Sequence, residues 1–205
     1  MARKAKLETS PAERARKAAF DLTRTSGWRH VTMSDIAEKS KLSLGELLGL
    51  YPSKSAIVRA YINDLDNAML GALPTTNEET PRERLFDILM SRFDALNPDK
   101  EAFISILRSD SRDPLMTICH LFRLKRSLSL MLEAAGLSSV GIFGRIRLKG
   151  LALVYANTFR AWLADDSADM AKTMAKLDQS LAKAEKIATL CLGKSQPADP
   201  LETTP

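Results

Sequence analysis

The sequence predicts an all-α chain, with an N-terminal three-helix helix-turn-helix domain joined to a helical-bundle C-terminal domain, about nine helices in all. Three observations predict it. Hydrophobic residues make up 45% of 205 residues and lie mostly in long Leu/Ala/Met-rich stretches with scattered charge, enough for a buried helical core. No run of alternating β-branched residues is bounded by hairpin turns. Helix-start signals recur, each a Ser or Thr followed three residues later by Asp or Glu.

Ser10-Pro11-Ala12-Glu13 opens the first helix, with proline at its first position. It runs to about Ser26, turns Ala15, Ala18, Ala19 and Leu22 inward, and stops at Gly27. Thr32-Met33-Ser34-Asp35 opens a short helix through Lys39, facing Ile36 and Ala37 inward. Leu42 sits at the turn, and Ser43-Leu44-Gly45-Glu46 opens a second short helix to about Leu50, anchored by Leu44 and Leu47. Pro52 ends it. Ser53 caps a longer helix from Lys54 to about Leu70, with Ile57, Val58, Tyr61, Ile62 and Leu65 inside.

Residues 71–80, with Pro74, read as a linker. Thr80-Pro81-Arg82-Glu83 then starts a helix carrying Leu85, Phe86, Leu89 and Phe93, which Asn97-Pro98 breaks. A helix from about Pro98 to Ser109 follows, then Pro114 to Ala135 ended by Gly136, then Ser139 to Leu163, where Gly141, Gly144 and Gly150 allow close backbone packing. Asp165-Asp166-Ser167 is expected to cap a last helix from Ala168 to about Leu192. Residues 1–9 read as a basic flexible arm, 10–70 as the helix-turn-helix domain, 81–193 as the helical domain and 194–205 as a disordered tail.

Charge is distributed unevenly. Residues 1–62 hold twelve Lys and Arg against six acids, whereas the other residues hold 18 against 19. The basic excess is therefore confined to the first third, which fits a polyanion-facing module on a neutral body. Cys119 and Cys191 are far apart and the only histidines are His30 and His120, which excludes the usual Cys/His metal site and a disulfide framework. No apolar stretch is long enough to span a membrane, and the N-terminus lacks a signal-peptide core, so a cytoplasmic protein without stable membrane insertion is expected. Nucleophile-elbow, phosphate-loop and dinucleotide fingerprints are absent. No enzyme, catalytic residue, metal or cofactor is expected.

Gly27-Trp28, Val31-Thr32-Met33-Ser34-Asp35-Ile36-Ala37, Leu42-Ser43-Leu44-Gly45 and Tyr51-Pro52-Ser53-Lys54 stand in the order and spacing of a known module. The segment of roughly residues 10–60 resembles the N-terminal domain of TetR-family transcriptional repressors. The helical remainder is similar in length and layout to that family's ligand-binding and dimerising domain. The resemblance implies a homodimer, paired through the last two helices, that binds palindromic double-stranded DNA. It also implies release by an apolar or amphipathic small molecule.

The resemblance carries over to particular residues. Thr32, Ser43 and Lys54 match frequent phosphate contacts, and Ser34, Lys41, Leu44, Gly45, Glu46 and Tyr51 fall in the same DNA-facing region. Lys4 and Lys6 reach along the duplex from the arm. Four positions depart from the family pattern. Glu46 stands where a small or hydroxyl residue is usual, Leu48 where tyrosine is usual, Leu50 where histidine is usual, and Lys41 where a turn glycine is common. Glu46 reads most simply as the acid of a capping box with Ser43. Leu48 and Leu50 are suited to a thymine methyl and to little else in the groove.

Phe86, Phe93, Met116, His120, Phe122 and Phe143 are candidates for an apolar ligand pocket, although plain core packing explains the same pattern. The Arg123/Lys125/Arg126 and Arg145/Arg147/Lys149 clusters fit snorkelling side chains on a solvated face. An alternative function follows from the leucine-rich third helix. The chain is also similar to TetR-like accessory proteins of ubiquinone biosynthesis, which have lost DNA recognition and bind an isoprenoid lipid.

Overall fold

The computed structural model describes residues 10–71, 79–110 and 114–192, the side chains at 110, 114–117 and 190–192 excepted. Lys4, Lys6, the rest of the N-terminal arm, most of the linker, the tail and the Met116 side chain lie outside the described residues. Nine α-helices and no strand are found among the described residues. They are α1 (Pro11–Ser26), α2 (Met33–Ser40), α3 (Leu44–Leu50), α4 (Lys54–Gly71), α5 (Pro81–Leu96), α6 (Lys100–Asp110), α7 (Pro114–Ala134), α8 (Gly141–Leu163) and α9 (Ala171–Leu192), with a 3-10 turn at Asn97–Asp99.

The chain divides into two compact units, one of Met1–Leu73 with Ser91–Leu124, the other of Pro74–Met90 with Lys125–Pro205. This division differs from a single cut at 71–80, because α6 packs with the helix-turn-helix. Its Ala102 and Ile106 are fully buried in one core with Ala15, Ala18, Ala19, Phe20, Trp28, Ile36, Leu47 and Ile57. Three alanines in α1 let its neighbours approach closely. Polar ties reinforce the join. The Trp28 backbone N–H donates to Ser105 Oγ at 3.1 Å, and the Arg24 guanidinium bridges Asp21, Asp99 and the Pro98 carbonyl. A buried ion pair between Asp66 of α4 and Arg92 of α5 lies in the same unit.

Helix termini follow the expected local chemistry. Ser10/Glu13, Thr32/Asp35 and Ser43/Glu46 each form a reciprocal capping box. Thr80 and Glu83 exchange the same pair of bonds. At the end of α7, Gly136 has φ +78°, Leu137 N–H donates to Leu132 O and Gly136 N–H to Glu133 O. That double bond is a Schellman stop, which needs a left-handed residue. The end of α2 has the same two bonds, Leu42 to Ala37 and Lys41 to Glu38, but the left-handed residue there is Lys41, at φ 58°.

In the second unit α8 packs on α9 around Trp162 and Leu177, both fully buried. Gly144 is required there, since a Cβ would stand 2.3 Å from the Ser139 carbonyl carbon, whereas Gly150 has open space. α9 starts at Ala171, three residues later than expected, because Met170 is left-handed at φ 51°. The cap is supplied from a distance. The buried Asp165 carboxylate accepts from Thr173 N at 2.8 Å, Thr173 Oγ1 at 2.7 Å, and Ser167 N at 3.1 Å. Burial alone would raise the pKa of Asp165, but the bonds from Ser167 and Thr173 outweigh it and hold the carboxyl well below the usual carboxylate range.

Two stability measurements follow. Lys41→Gly relieves a left-handed side-chain penalty and raises unfolding free energy by about 1 kcal/mol in urea titration; an unchanged or lower midpoint contradicts the strain. Asp165→Ala leaves buried donors at the start of α9 unsatisfied and costs about 3 kcal/mol. A depressed folded pKa means that this stability is complete above the unfolded value near 3.8 and is lost as pH falls through the lower folded value. Wild-type thermal midpoints therefore drop below about pH 4, and Asp165→Ala drops less steeply over the same range.

Candidate nucleic-acid interface

α2 and α3 have only eight and seven residues, and such helices do not persist alone. Tertiary burial holds them. Ile36 and Leu47 are completely buried and Ala37 nearly so. Ser40 is buried and donates its hydroxyl to the Ile36 carbonyl at 2.6 Å, while Arg14 Nε of α1 donates to the Ser40 carbonyl at 3.3 Å. The turn between the two helices is thus pinned from α1.

α3 presents the opposite face outward. Leu44, Gly45, Glu46, Leu48, Gly49 and Leu50 are all exposed, and a Cβ on Gly45 or Gly49 would meet nothing within 4 Å. Glu46 Oε2 accepts from Ser43 N and from Ser43 Oγ, both at 2.7 Å, while Ser43 Oγ accepts from Glu46 N at 3.2 Å. The hydroxyl and amide of Ser43 hold the Glu46 carboxyl below its ordinary pKa, so it is ionised at neutral pH. Asp35 is held down in the same way by the amide and hydroxyl of Thr32. Thr32 and Ser34 are exposed at the start of α2, and Lys41 is exposed in the turn.

Two residues grouped with the DNA-facing set are engaged in internal ties. Tyr51 is only 7% exposed, and its hydroxyl accepts from Arg16 Nη1 at 2.8 Å and donates to the Ala12 carbonyl. It locks the end of α3 to α1, so the correction is that Tyr51 is a core tie. Lys54 Nζ donates to the Trp28 and Val31 carbonyls at 2.8 and 2.7 Å and lies 4.7 Å from the Trp28 ring centroid. It ties the start of α4 to the loop before α2, partly through a cation–π contact. Between residues 10 and 62 the exposed cations are Lys17, Arg24, Arg29, Lys39, Lys41 and Arg59. Of these only Lys41 is singled out by the family motif; the charge count alone pointed to the others.

The pocket candidates with described side chains differ widely in exposure. Phe93 is fully buried, Phe86 and His120 are half-buried, and Phe122 and Phe143 are 68% and 60% exposed. A cleft of about 480 Å³ opens in the first unit, lined by Arg16, Phe20, Arg24, Tyr61, Asp64 and Asp99 among others, and none of the five candidates with described side chains lines it. Its walls carry both signs of charge, with Arg16 paired to Asp64 at 2.9 Å. Among the described residues no group of three or more His, Cys, Asp or Glu could hold a metal ion, and no helix is long and apolar enough to cross a membrane.

Neither a family model nor a curated protein matches the sequence. Solved structures do match the fold. A TetR transcriptional regulator from Nitrosomonas europaea superposes with a TM-score of 0.75 at 22% identity, over 87% of this chain and 99% of that one. A TetR transcriptional regulator from Rhodococcus sp. RHA1 gives 0.63 at 17% identity, over 85% and 94%. Thermus thermophilus FadR, a TetR-family transcriptional repressor in complex with lauroyl-CoA, gives 0.55 at 20% identity, over 92% and 99%. The chain has the fold of the TetR-family transcriptional regulators.

Proposed function

We propose that this protein is a DNA-binding transcriptional regulator, a repressor that binds a palindromic operator as a homodimer and is released by a small-molecule effector. The observation that carries the reading is the outward-facing α3, held by a buried Leu47 and a capping box, in a unit rich in exposed cations. A supported second helix with a free outer face is what major-groove insertion needs. Of the exposed acids between residues 10 and 62, Glu13, Asp35 and Glu46 serve as helix caps, which leaves Glu38 as the acid outside a capping box. Acids bound to helix N-termini are partly neutralised by the helix dipole, so they oppose a polyanion less than their number suggests.

Dimerisation through α8 and α9 is supported by apolar exposure on α8. Ile142, Ile146 and Leu153 are 72%, 48% and 68% exposed. At 100° per residue they share one stripe, and a second copy would bury it in a four-helix arrangement. The effector class follows the fold's precedent. FadR is bound to lauroyl-CoA, and the apolar helical body here suits an apolar or amphipathic molecule. The exposed leucines of α3 favour one second reading, a lipid-binding protein that no longer recognises DNA.

Selection from a pool of random-sequence duplexes separates the two. The regulator reading expects enrichment of a palindrome whose affinity falls steeply with salt, with a slope set by the phosphates neutralised. Weak, sequence-blind binding or none overturns it, and a co-purifying lipid would then favour the second reading. Oligomeric state is tested by light scattering. Wild type should run at twice the 22.6 kDa chain mass and Leu153→Asp at the chain mass itself. A monomeric wild type removes the α8–α9 dimer.

A further inference from the structure

We infer that α3 reads its operator through the C5 methyl groups of thymines, contacted by Leu44 and Leu48, and not through hydrogen bonds. The inference rests on the DNA-binding reading and names the base chemistry that site takes.

Geometry sets the first condition. With Leu47 fully buried, Gly45 and Gly49 fall about 160° away from it around the helix, so they form the outermost line of α3. Neither has a neighbour within 4 Å of a would-be Cβ. Bare backbone therefore occupies the centre of the exposed face and can approach the groove floor closely. Leu44 and Leu48, 43% and 42% exposed, flank it on one side. Glu46 and Leu50 flank it on the other.

Hydrogen-bonding capacity sets the second. Guanine O6 and N7, adenine N7 and thymine O4 all accept, and need a donor from the protein. No exposed side chain between Leu44 and Leu50 carries one. Adenine N6 and cytosine N4 donate, and the acceptor facing them would be the Glu46 carboxylate. Its Oε2 is already held by the Ser43 amide and hydroxyl, which ties the carboxylate back to the start of α3, and its charge disfavours the phosphate-lined groove. The thymine methyl is the major-groove feature an apolar side chain can read, and two adjacent leucines at i, i+4 spacing present a surface for it.

Charge selects DNA as the occupant of this apolar face. Lys39 lies in the last turn of α2, Lys41 in the turn between α2 and α3, and Arg29 in the loop before α2, all exposed. A leucine face bordered by cations complements methyls recessed between phosphate rails. A neutral protein groove would leave those cations unpartnered.

The test replaces thymine by uracil, one position at a time, in a duplex enriched by the wild-type protein from a random pool. Uracil keeps the pairing edge and removes only the C5 methyl. Binding should weaken about fourfold at one or more positions of each half-site, the worth of one buried methyl. In Leu44→Ala or Leu48→Ala, both substitutions at exposed positions, the thymine-to-uracil ratio should fall to about one at the position that leucine contacts. Wild-type protein that binds its selected duplex yet tolerates uracil everywhere overturns the inference and leaves the regulator reading standing. Uracil sensitivity that persists in both variants also overturns it, since the methyl then acts through duplex shape. Failure to enrich any duplex removes the regulator reading and this inference with it.

Discussion

Burial of Leu47 and Ile36 against α1 is the constraint on which the first unit depends. Helices of seven and eight residues have too few internal hydrogen bonds to offset the entropy of forming them. Each is instead held from three directions: a fully buried apolar residue, a capping box at its start and a tie at its end. For α2 the end is the Schellman turn at Lys41 and for α3 it is Tyr51, hydrogen-bonded to Arg16 and to the Ala12 carbonyl. Apart from Glu46, whose carboxylate closes the capping box, the outer face of α3 is thereby released from structural duty. Leucine can stand there without loss of packing, and glycine at only its helix-propensity penalty of about 1 kcal/mol relative to alanine.

The same logic reassigns residues whose type suggests a ligand contact. A lysine at the start of a helix faces an unfavourable dipole end, and Lys54 is placed there regardless. Two carbonyl acceptors and the face of Trp28 compensate. The result joins α4 to the loop that sets the start of α2. A displacement of α4 therefore pulls on Trp28, whose backbone amide is in turn bound to Ser105 of α6. α1, α4 and α6 are linked around one tryptophan that is only 4% exposed. Strain in α6 has a short mechanical path to the α2–α3 pair.

Local chemistry was the legible part of the sequence. The four helix-start signals at Ser10, Thr32, Ser43 and Thr80 each correspond to a bonded cap, and Gly27 and Gly136 end helices as their position suggests. Interactions distant in sequence were not legible. Nothing in the pattern around Ala102 and Ile106 distinguishes a residue of the α1–α4 core from one in a separate bundle, so the linker composition suggested the wrong partner for α6. Asp165 reads as a cap for the residue after it, but Met170 delays the helix and the carboxylate reaches eight residues ahead to Thr173. Phe122 and Phe143 illustrate a general limit. Aromatic residues at helical spacing mark an apolar face without saying whether this chain covers it.

Reading by methyl contact alone has an energetic consequence. A bidentate side chain–base pair discriminates by about 1–3 kcal/mol, whereas one buried methyl is worth about 0.8 kcal/mol. On the proposed reading, an α3 without donors would collect its specificity from several thymines, from the doubling that a two-fold dimer would provide, and from the ease with which the sequence deforms. On that reading, affinity would rest correspondingly more on phosphate contacts from exposed cations such as Lys39, Lys41 and Arg29, which are insensitive to sequence and sensitive to salt. Such a balance makes occupancy depend on how accurately two heads are spaced, because neither half-site holds strongly alone. If the protein reads DNA in this way, a small change in spacing would then cost a large share of the binding free energy, and a modest coupling free energy would suffice for release by an effector.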